Sequence, residues 1–219
     1  MNAPGCLVAM LFGGRPDLVA QYDFGVIDGG NASSYSVSGT LSTGNWVIIH
    51  ANSGNSDGTV TALTLDSGGG PVSYLSNLIF GGVGESWYYA PHPGAVAATA
   101  AFTCTGSGAN NGSIAVYSMT GTPYSWTPFD TDVDELTGTI DCPKGGVIFI
   151  GAKDSIGGAD TCTVAGINVV DLSTGAGGDS TSYLYGHINN NDANFPTLGA
   201  TNIPYLLSSN SSRSVISLY

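Results

Sequence analysis

Short runs of β-branched, aromatic and aliphatic residues recur along the whole chain, and clusters of Gly, Asn, Asp and Ser separate them. This punctuation leaves little room for helices, because no stretch of about ten residues carries an apolar i, i+3, i+4, i+7 stripe free of glycine. The runs Cys6–Phe12, Leu18–Ile27, Ser34–Leu41, Trp46–Ala51, Thr59–Leu65, Val72–Phe80, Ser86–Ala90, Ala95–Thr105, Ser113–Met119, Leu136–Cys142, Gly146–Ala152, Thr161–Val170, Ser182–Ile188 and Ser214–Tyr219 read as strands. Links such as Asp28-Gly29-Gly30-Asn31 and Gly175-Ala176-Gly177-Gly178 supply turns, since Gly and Asn reach positive φ at low cost. There is no βαβ alternation, no linker and no repeat of fixed period. The expectation is an all-β fold, an antiparallel β-sandwich of jelly-roll type, with residues 1–219 forming a single domain.

Two kinds of strand are expected. Trp46-Val47-Ile48-Ile49 and Val147-Ile148-Phe149-Ile150 are continuous apolar runs, as in central strands covered on both faces. In Gly112–Met119, Ile114 and Val116 fall on one side while Ser113, Ala115 and Tyr117 fall on the other, the pattern of a sheet with one wet face. The segment Ser125–Glu135 reads as a loop.

Charge excludes more than it identifies. Charged residues are 9% of the chain, against about 25% in ordinary soluble domains. With 16 acidic and 4 basic residues the net charge is −12, so no basic patch exists to bind nucleic acid or an anionic membrane surface. The start, Met1-Asn2-Ala3-Pro4-Gly5, lacks a basic region and Cys6–Phe12 is short for a signal-peptide core, so synthesis in a cytoplasm without a signal peptide is expected. No apolar run approaches the roughly 20 residues that span a bilayer as a helix. Cys6, Cys104, Cys142 and Cys162 show no C-x-x-C spacing; buried free thiols are expected, with a Cys142–Cys162 bridge as the alternative.

The order of motifs over residues 95–152 carries a resemblance. A Gly-rich strand leads into Gly112-Ser113-Ile114-Ala115-Val116-Tyr117-Ser118-Met119-Thr120-Gly121-Thr122, and a Thr/Asp loop follows. Then comes Leu136-Thr137-Gly138-Thr139-Ile140-Asp141-Cys142-Pro143-Lys144-Gly145-Gly146-Val147-Ile148-Phe149-Ile150-Gly151-Ala152. This resembles β-sandwich proteins among tailed-phage and prophage structural proteins, in which a V-Y-x-x-x-G strand precedes a P-x-G-G-V turn into a buried strand. The resemblance implies a bacteriophage virion component: a capsid decoration or head-fibre subunit, or a tail or baseplate adhesin. It carries over no catalytic or binding residue.

Two groups of residues are candidates for chemistry. Asp130, Asp132 and Asp134, with Asp141 beyond them, place acids at positions 1, 3, 5 and 12 of a calcium-loop spacing. Glu135 stands where an EF-hand needs Gly and Asp141 where it needs Glu, which rejects an EF-hand and leaves two readings, solvated loop acids or an irregular loop Ca²⁺ site. Glu85 followed by Trp87-Tyr88-Tyr89 gives a carboxylate beside aromatic rings, read either as a platform for a host surface glycan, with Trp87 and Tyr89 as its rings, or as a strand whose aromatics alternate between core and surface. His50, His92 and His187 show no metal-ligand spacing and no catalytic constellation emerges, so an enzyme is not expected. The leading expectation is a non-enzymatic virion structural protein that contacts other virion subunits; a carbohydrate-binding module or adhesin is the alternative. Self-association as a trimer is expected by analogy with virion fibres and decorations. The terminal strand Ser214–Tyr219 can close its own sheet or pair with a neighbour's edge.

Overall fold

The structure, a computed structural model, describes residues 16–28, 33–52, 59–81, 85–105, 112–133, 136–154, 161–174, 182–191, 201–208 and 213–219. Among the described residues every regular element is a strand. The first nine are β1 (Val19–Asp28), β2 (Ser34–Thr40), β3 (Trp46–Asn52), β4 (Thr59–Asp66), β5 (Pro71–Ser73), β6 (Leu78–Gly81), β7 (Glu85–Pro91), β8 (Ala97–Thr105) and β9 (Gly112–Thr120). The second nine are β10 (Asp130–Val133), β11 (Thr137–Ile140), β12 (Gly146–Asp154), β13 (Cys162–Val164), β14 (Ile167–Asn168), β15 (Val170–Thr174), β16 (Ser182–Asn190), β17 (Ile203–Leu207) and β18 (Arg213–Leu218).

The first nine build a sheet in the order β1-β9-β3-β7-β6 and a second in the order β2-β8-β4-β5. The last nine build β10-β18-β12-β16-β15 and β11-β17-β13-β14, the same orders with every number raised by nine. Within each half the outermost strands pair and the inner ones fold back. The pairs are β1 with β9, β2 with β8, β3 with β7 and β4 with β5, and likewise β10 with β18, β11 with β17, β12 with β16 and β13 with β14. That is a long hairpin rolled into two facing antiparallel sheets, the jelly roll, with β6 or β15 added at one edge. The sequence reading found no repeat; the repeat lies in topology, with few shared residues.

Three apolar clusters stack the four sheets. Val47, Ile49 and Ala51 of β3 meet Leu63, Leu65, Ala100 and Phe102 of the β2–β8–β4–β5 sheet. Ile148, Ile150 and Ala152 of β12 meet Val164, Ile203, Tyr205 and Leu207 in the second sandwich. The third cluster joins the two five-stranded sheets: Ile48, Trp87, Ala115 and Tyr117 face Phe149, Tyr183, Tyr185 and Ile216. One domain was expected over residues 1–219; the described residues form two sandwiches fused into one four-layer body.

Both continuous runs occupy central strands, with Val47–Ile49 and Val147–Ile150 fully buried. β9 differs from expectation. It has no wet face, because Ser113, Ala115 and Tyr117 are covered by the second sandwich. Val72–Phe80 is split by the turn at Tyr74–Asn77, and Thr161–Val170 is split where Ala165 and Gly166 take positive φ (51° and 80°). β10 and β17 fall where no strand was expected. β18 lies between β10 and β12 of its own sheet. Cys104, Cys142 and Cys162 are free and buried, so no Cys142–Cys162 bridge forms; the Cys6–Phe12 run lies outside the described residues.

Candidate functional site

The glycan platform read from the sequence is not on the surface. Positions 85, 87 and 89 of β7 share one face, as alternate residues of a strand must, and the second sandwich covers that face. Trp87 is fully buried, its indole N–H donating to Ser214 Oγ at 2.9 Å, with its ring 5.4 Å from that of Phe149. Glu85 is 1% exposed; it accepts from Ser214 Oγ (2.8 Å) and Asn52 Nδ2 (3.2 Å), with His50 Nε2 at 3.7 Å. Tyr89, at the margin of this joint, is half-buried.

Two of the acidic residues, Asp130 and Asp141, bind backbone. Asp130 accepts from the Thr131 and Asp141 amides (2.9 and 2.7 Å), and Asp141 from the Asn202 amide at 2.7 Å. These bonds tie β10 to the residue that follows β11, and that residue to the one that precedes β17. Asp132 lies beside Gly138 and the Tyr205 hydroxyl, and Asp134 lies outside the described residues. Among the described residues no three His, Cys, Asp or Glu side chains are grouped to hold a metal ion.

The other two histidines are also joined to acids by the fold, His92 through Ser118 and His187 directly. Ser118 Oγ lies 3.0 Å from His92 Nε2 and 2.5 Å from Asp23 Oδ2. The residue types are those of a hydrolytic triad, but the order is reversed. His92 Nδ1 accepts the Gly94 amide at 3.0 Å, so Nε2 is the protonated nitrogen and donates to the serine, which donates to Asp23. A base must instead take the serine proton, with the acid behind the base. Ser118 is also 1% exposed, so the group is a brace. His187 braces the two sandwiches in the same way, Nδ1 2.5 Å from Asp171 Oδ2 and Nε2 3.0 Å from the Ala20 carbonyl.

The surface feature with most chemical character lies along residues 121–129, which lead from β9 to β10. Gly121 starts it at φ 78°, where a side chain would press on Leu18 and the Asp17 carbonyl at 2.9–3.0 Å. Trp126 then lies flat on Tyr89 (centroids 3.9 Å apart, planes 3° apart) and edge-on to Trp46 at 4.8 Å. Trp46 Nε1 donates to Thr122 Oγ1 at 3.0 Å. The backbone is held against the last strand as well: the Tyr124 amide donates to the Tyr219 carbonyl and the Phe129 amide to the Ser217 carbonyl, both at 2.8 Å. With Trp126 anchored, Tyr124 (49% exposed) and Phe129 (54%) stand out on either side of the Tyr219 ring, at 5.3 and 6.3 Å from it.

These rings, with Ser125, Thr127 and Pro128, line an open groove of about 450 Å³. A smaller hollow of about 50 Å³ shares Tyr124 and Tyr219 and adds Asp17, Thr122 and Lys144. The sequence reading treated Ser125–Glu135 as an acidic loop and passed over the groove. The available signal was three aromatics, Tyr124, Trp126 and Phe129, in a Pro-flanked stretch with no strand pattern to bury them.

No family model matches the chain, and no curated protein matches it. Among solved structures, a chain titled BspA_C_WT is similar at 10% identity, covering 84% of this chain and 82% of its own, with a TM-score of 0.21. The Streptococcus agalactiae AgI/II polypeptide BspA C terminal domain (WT) is similar at 9% identity over 87% and 86%, with a TM-score of 0.22. Similarity at this level carries no argument about function.

Proposed function

We propose that this chain is a non-enzymatic structural subunit of a virion surface, such as a capsid decoration, head fibre or tail or baseplate component. The observation that carries the reading is the fusion of two like jelly rolls through a third apolar core whose Ile48, Trp87, Tyr117 and Phe149 are fully buried. Such a body is stiff. Close-packed interiors resist deformation, and the segment joining the halves is itself pinned between Trp46, Tyr89 and the last strand. A stiff, weakly charged β body suits a part that is held in an assembly and presents a surface, and jelly rolls serve in capsids as well as in lectins. The subunit is proposed to associate as a trimer with other virion subunits.

The test is quantitative mass spectrometry of purified particles, with light scattering on the isolated protein. The expected results are a fixed copy number that is a multiple of three and a trimer mass at micromolar concentration. A chain that stays in the lysate while particles are free of it overturns the reading. A second reading, a carbohydrate-binding adhesin, is favoured by the exposed rings of Tyr124 and Phe129.

A further inference from the structure

We propose that the groove between Tyr124, Phe129 and Tyr219 binds an uncharged, pyranose-based glycan. The inference concerns the isolated protein and does not depend on its place in a particle.

Pyranose rings carry an apolar C–H face and a rim of hydroxyls that donate and accept. The groove offers the matching pair. Three aromatic rings supply apolar area, two of them about half exposed. Tyr124, Ser125, Thr127 and Tyr219, which carry hydroxyls, line the same groove, the Ser125 hydroxyl already accepting the Thr127 amide at 3.0 Å, and Asp17 and Lys144 line the adjoining hollow. Its volume, about 450 Å³, falls within the range of roughly 300–1,000 Å³ usual for small-ligand sites.

The rings are positioned before any ligand arrives. Stacking of Trp126 on Tyr89 and the amide bonds of Tyr124 and Phe129 fix the backbone that carries them. Little ordering is then left to oppose binding.

Charge selects among occupants. At a net charge of −12 the chain repels nucleic acid and also sialylated, sulfated or uronate-rich glycans, which leaves the neutral class. An extended peptide docks by pairing with free backbone groups of an edge, but along this groove the amides of Tyr124 and Phe129 are already spent on the last strand.

The test titrates the full chain, by intrinsic fluorescence and calorimetry, with neutral gluco-, galacto-, manno- and N-acetylglucosamine oligosaccharides, alongside sialylated and uronate controls. At least one neutral series should bind, with the charged controls weaker. The Tyr124→Ala, Phe129→Ala double variant should lose about tenfold or more in affinity, the size expected when anchoring aromatics are removed. Phe129→Tyr, which keeps the ring, should retain binding. If the double variant does not fold, Thr127→Arg, which fills the groove from an exposed position, serves instead and should also abolish binding. Absence of binding to every neutral series at millimolar concentration overturns the proposal. So does unchanged affinity in the folded variants, or preference for the charged glycans. Particle co-purification is unaffected by any of these results, so this proposal and the virion reading fail separately.

Discussion

The two sandwiches share a strand order and differ most where they touch. Val47, Ile49 and Ala51 of β3 point into the first core as Ile148, Ile150 and Ala152 of β12 point into the second. The residues between them, Ile48 and Phe149, point into the joint. By the same register His50 corresponds to Gly151, and the two meet: a Cβ on Gly151 would lie 2.7 Å from His50 Nε2. His50 is fully buried against Trp87 (4.3 Å) and Tyr185 (4.9 Å), which also hold corresponding positions on β7 and β16. Where a position meets its own counterpart across the joint, the two must be complementary in size, here a large ring opposite a glycine.

The polar groups are divided in the same way. The first sandwich supplies Asn52, Glu85 and Ser113, and the second answers with Ser214, which donates to Glu85, and the Tyr185 hydroxyl, which bonds Ser113; the buried His50 nitrogens make no hydrogen bond. Buried polar groups of this kind add little stability over an apolar joint, but a pairing that leaves them unmatched is costly, which sets the register of the two sheets.

The harshest way to break the comparison is a buried charge at corresponding positions. Val47→Asp and Ile148→Asp should each leave the whole chain insoluble, because an unpaired buried carboxylate costs several kcal/mol against a total of about 5–15. Hydrogen exchange on any soluble Ile148→Asp protein is the check. A protected first sandwich beside an open second one would show that the shared core does not couple them.

Gly151→Ala should come next, at about 1–3 kcal/mol from overpacking against His50. This is a fall of several degrees in Tm for a chain of this size. Adding His50→Ala should recover part of the loss, whereas Gly69→Ala, with nothing within 4 Å of the new carbon, should be close to neutral. Strictly additive effects of the two joint substitutions would remove the proposed complementarity.

Alkali should then loosen the joint as well as the separate cores. Burial, with the negative charge of Asp171 as a second cause, raises Tyr22 from 10.0 to about 12. Burial likewise holds Tyr117, Tyr183 and Tyr185 well above the usual phenol range. A group whose folded pKa is raised contributes stability that is intact below its unfolded pKa and is lost as pH rises toward the folded one. The same holds for the buried thiols Cys142 and Cys162, raised from 9.0 to about 12. Stability should therefore be flat up to about pH 9, begin to fall above it, and fall more steeply above about pH 10 as tyrosinate absorbance appears with separation of the sandwiches.

The smallest effect concerns the thiols. Burial raises both Cys142 and Cys162 to about 12, so a thiol reagent at neutral pH should modify them only as fast as the chain opens. Rapid modification of the native protein would show that the second core is looser than its burial indicates.

Much of the fold was legible because strand alternation and turn glycines are local. Trp46–Ile49 and Val147–Ile150 announced central strands, and Gly-rich links marked most strand ends. β17 was missed because Pro204 interrupts its pattern, although Pro204 points outward on an alternating strand of exposed and buried residues. β10 was missed because its alternating acids read as loop chemistry, whereas Asp130 accepts from the Thr131 and Asp141 amides within a strand paired to β18. The site fared worse. Glu85, Trp87 and Tyr89 share one face of β7, but the glycan platform and the core strand that the sequence allowed differ only in what covers that face, which nothing local indicates.

By itself, then, the sequence determined the strands, their two-sidedness and a surface too acidic for polyanions. Tertiary structure alone decided that β1 pairs with β9 across most of the first half of the chain, that the order repeats, and that the face carrying Trp87 and Tyr117 meets a second sheet instead of water. The reason is physical. A period of two separates the faces of a strand, while what each face meets depends on segments about a hundred residues away, whose only signature is the shape and polarity they present once folded.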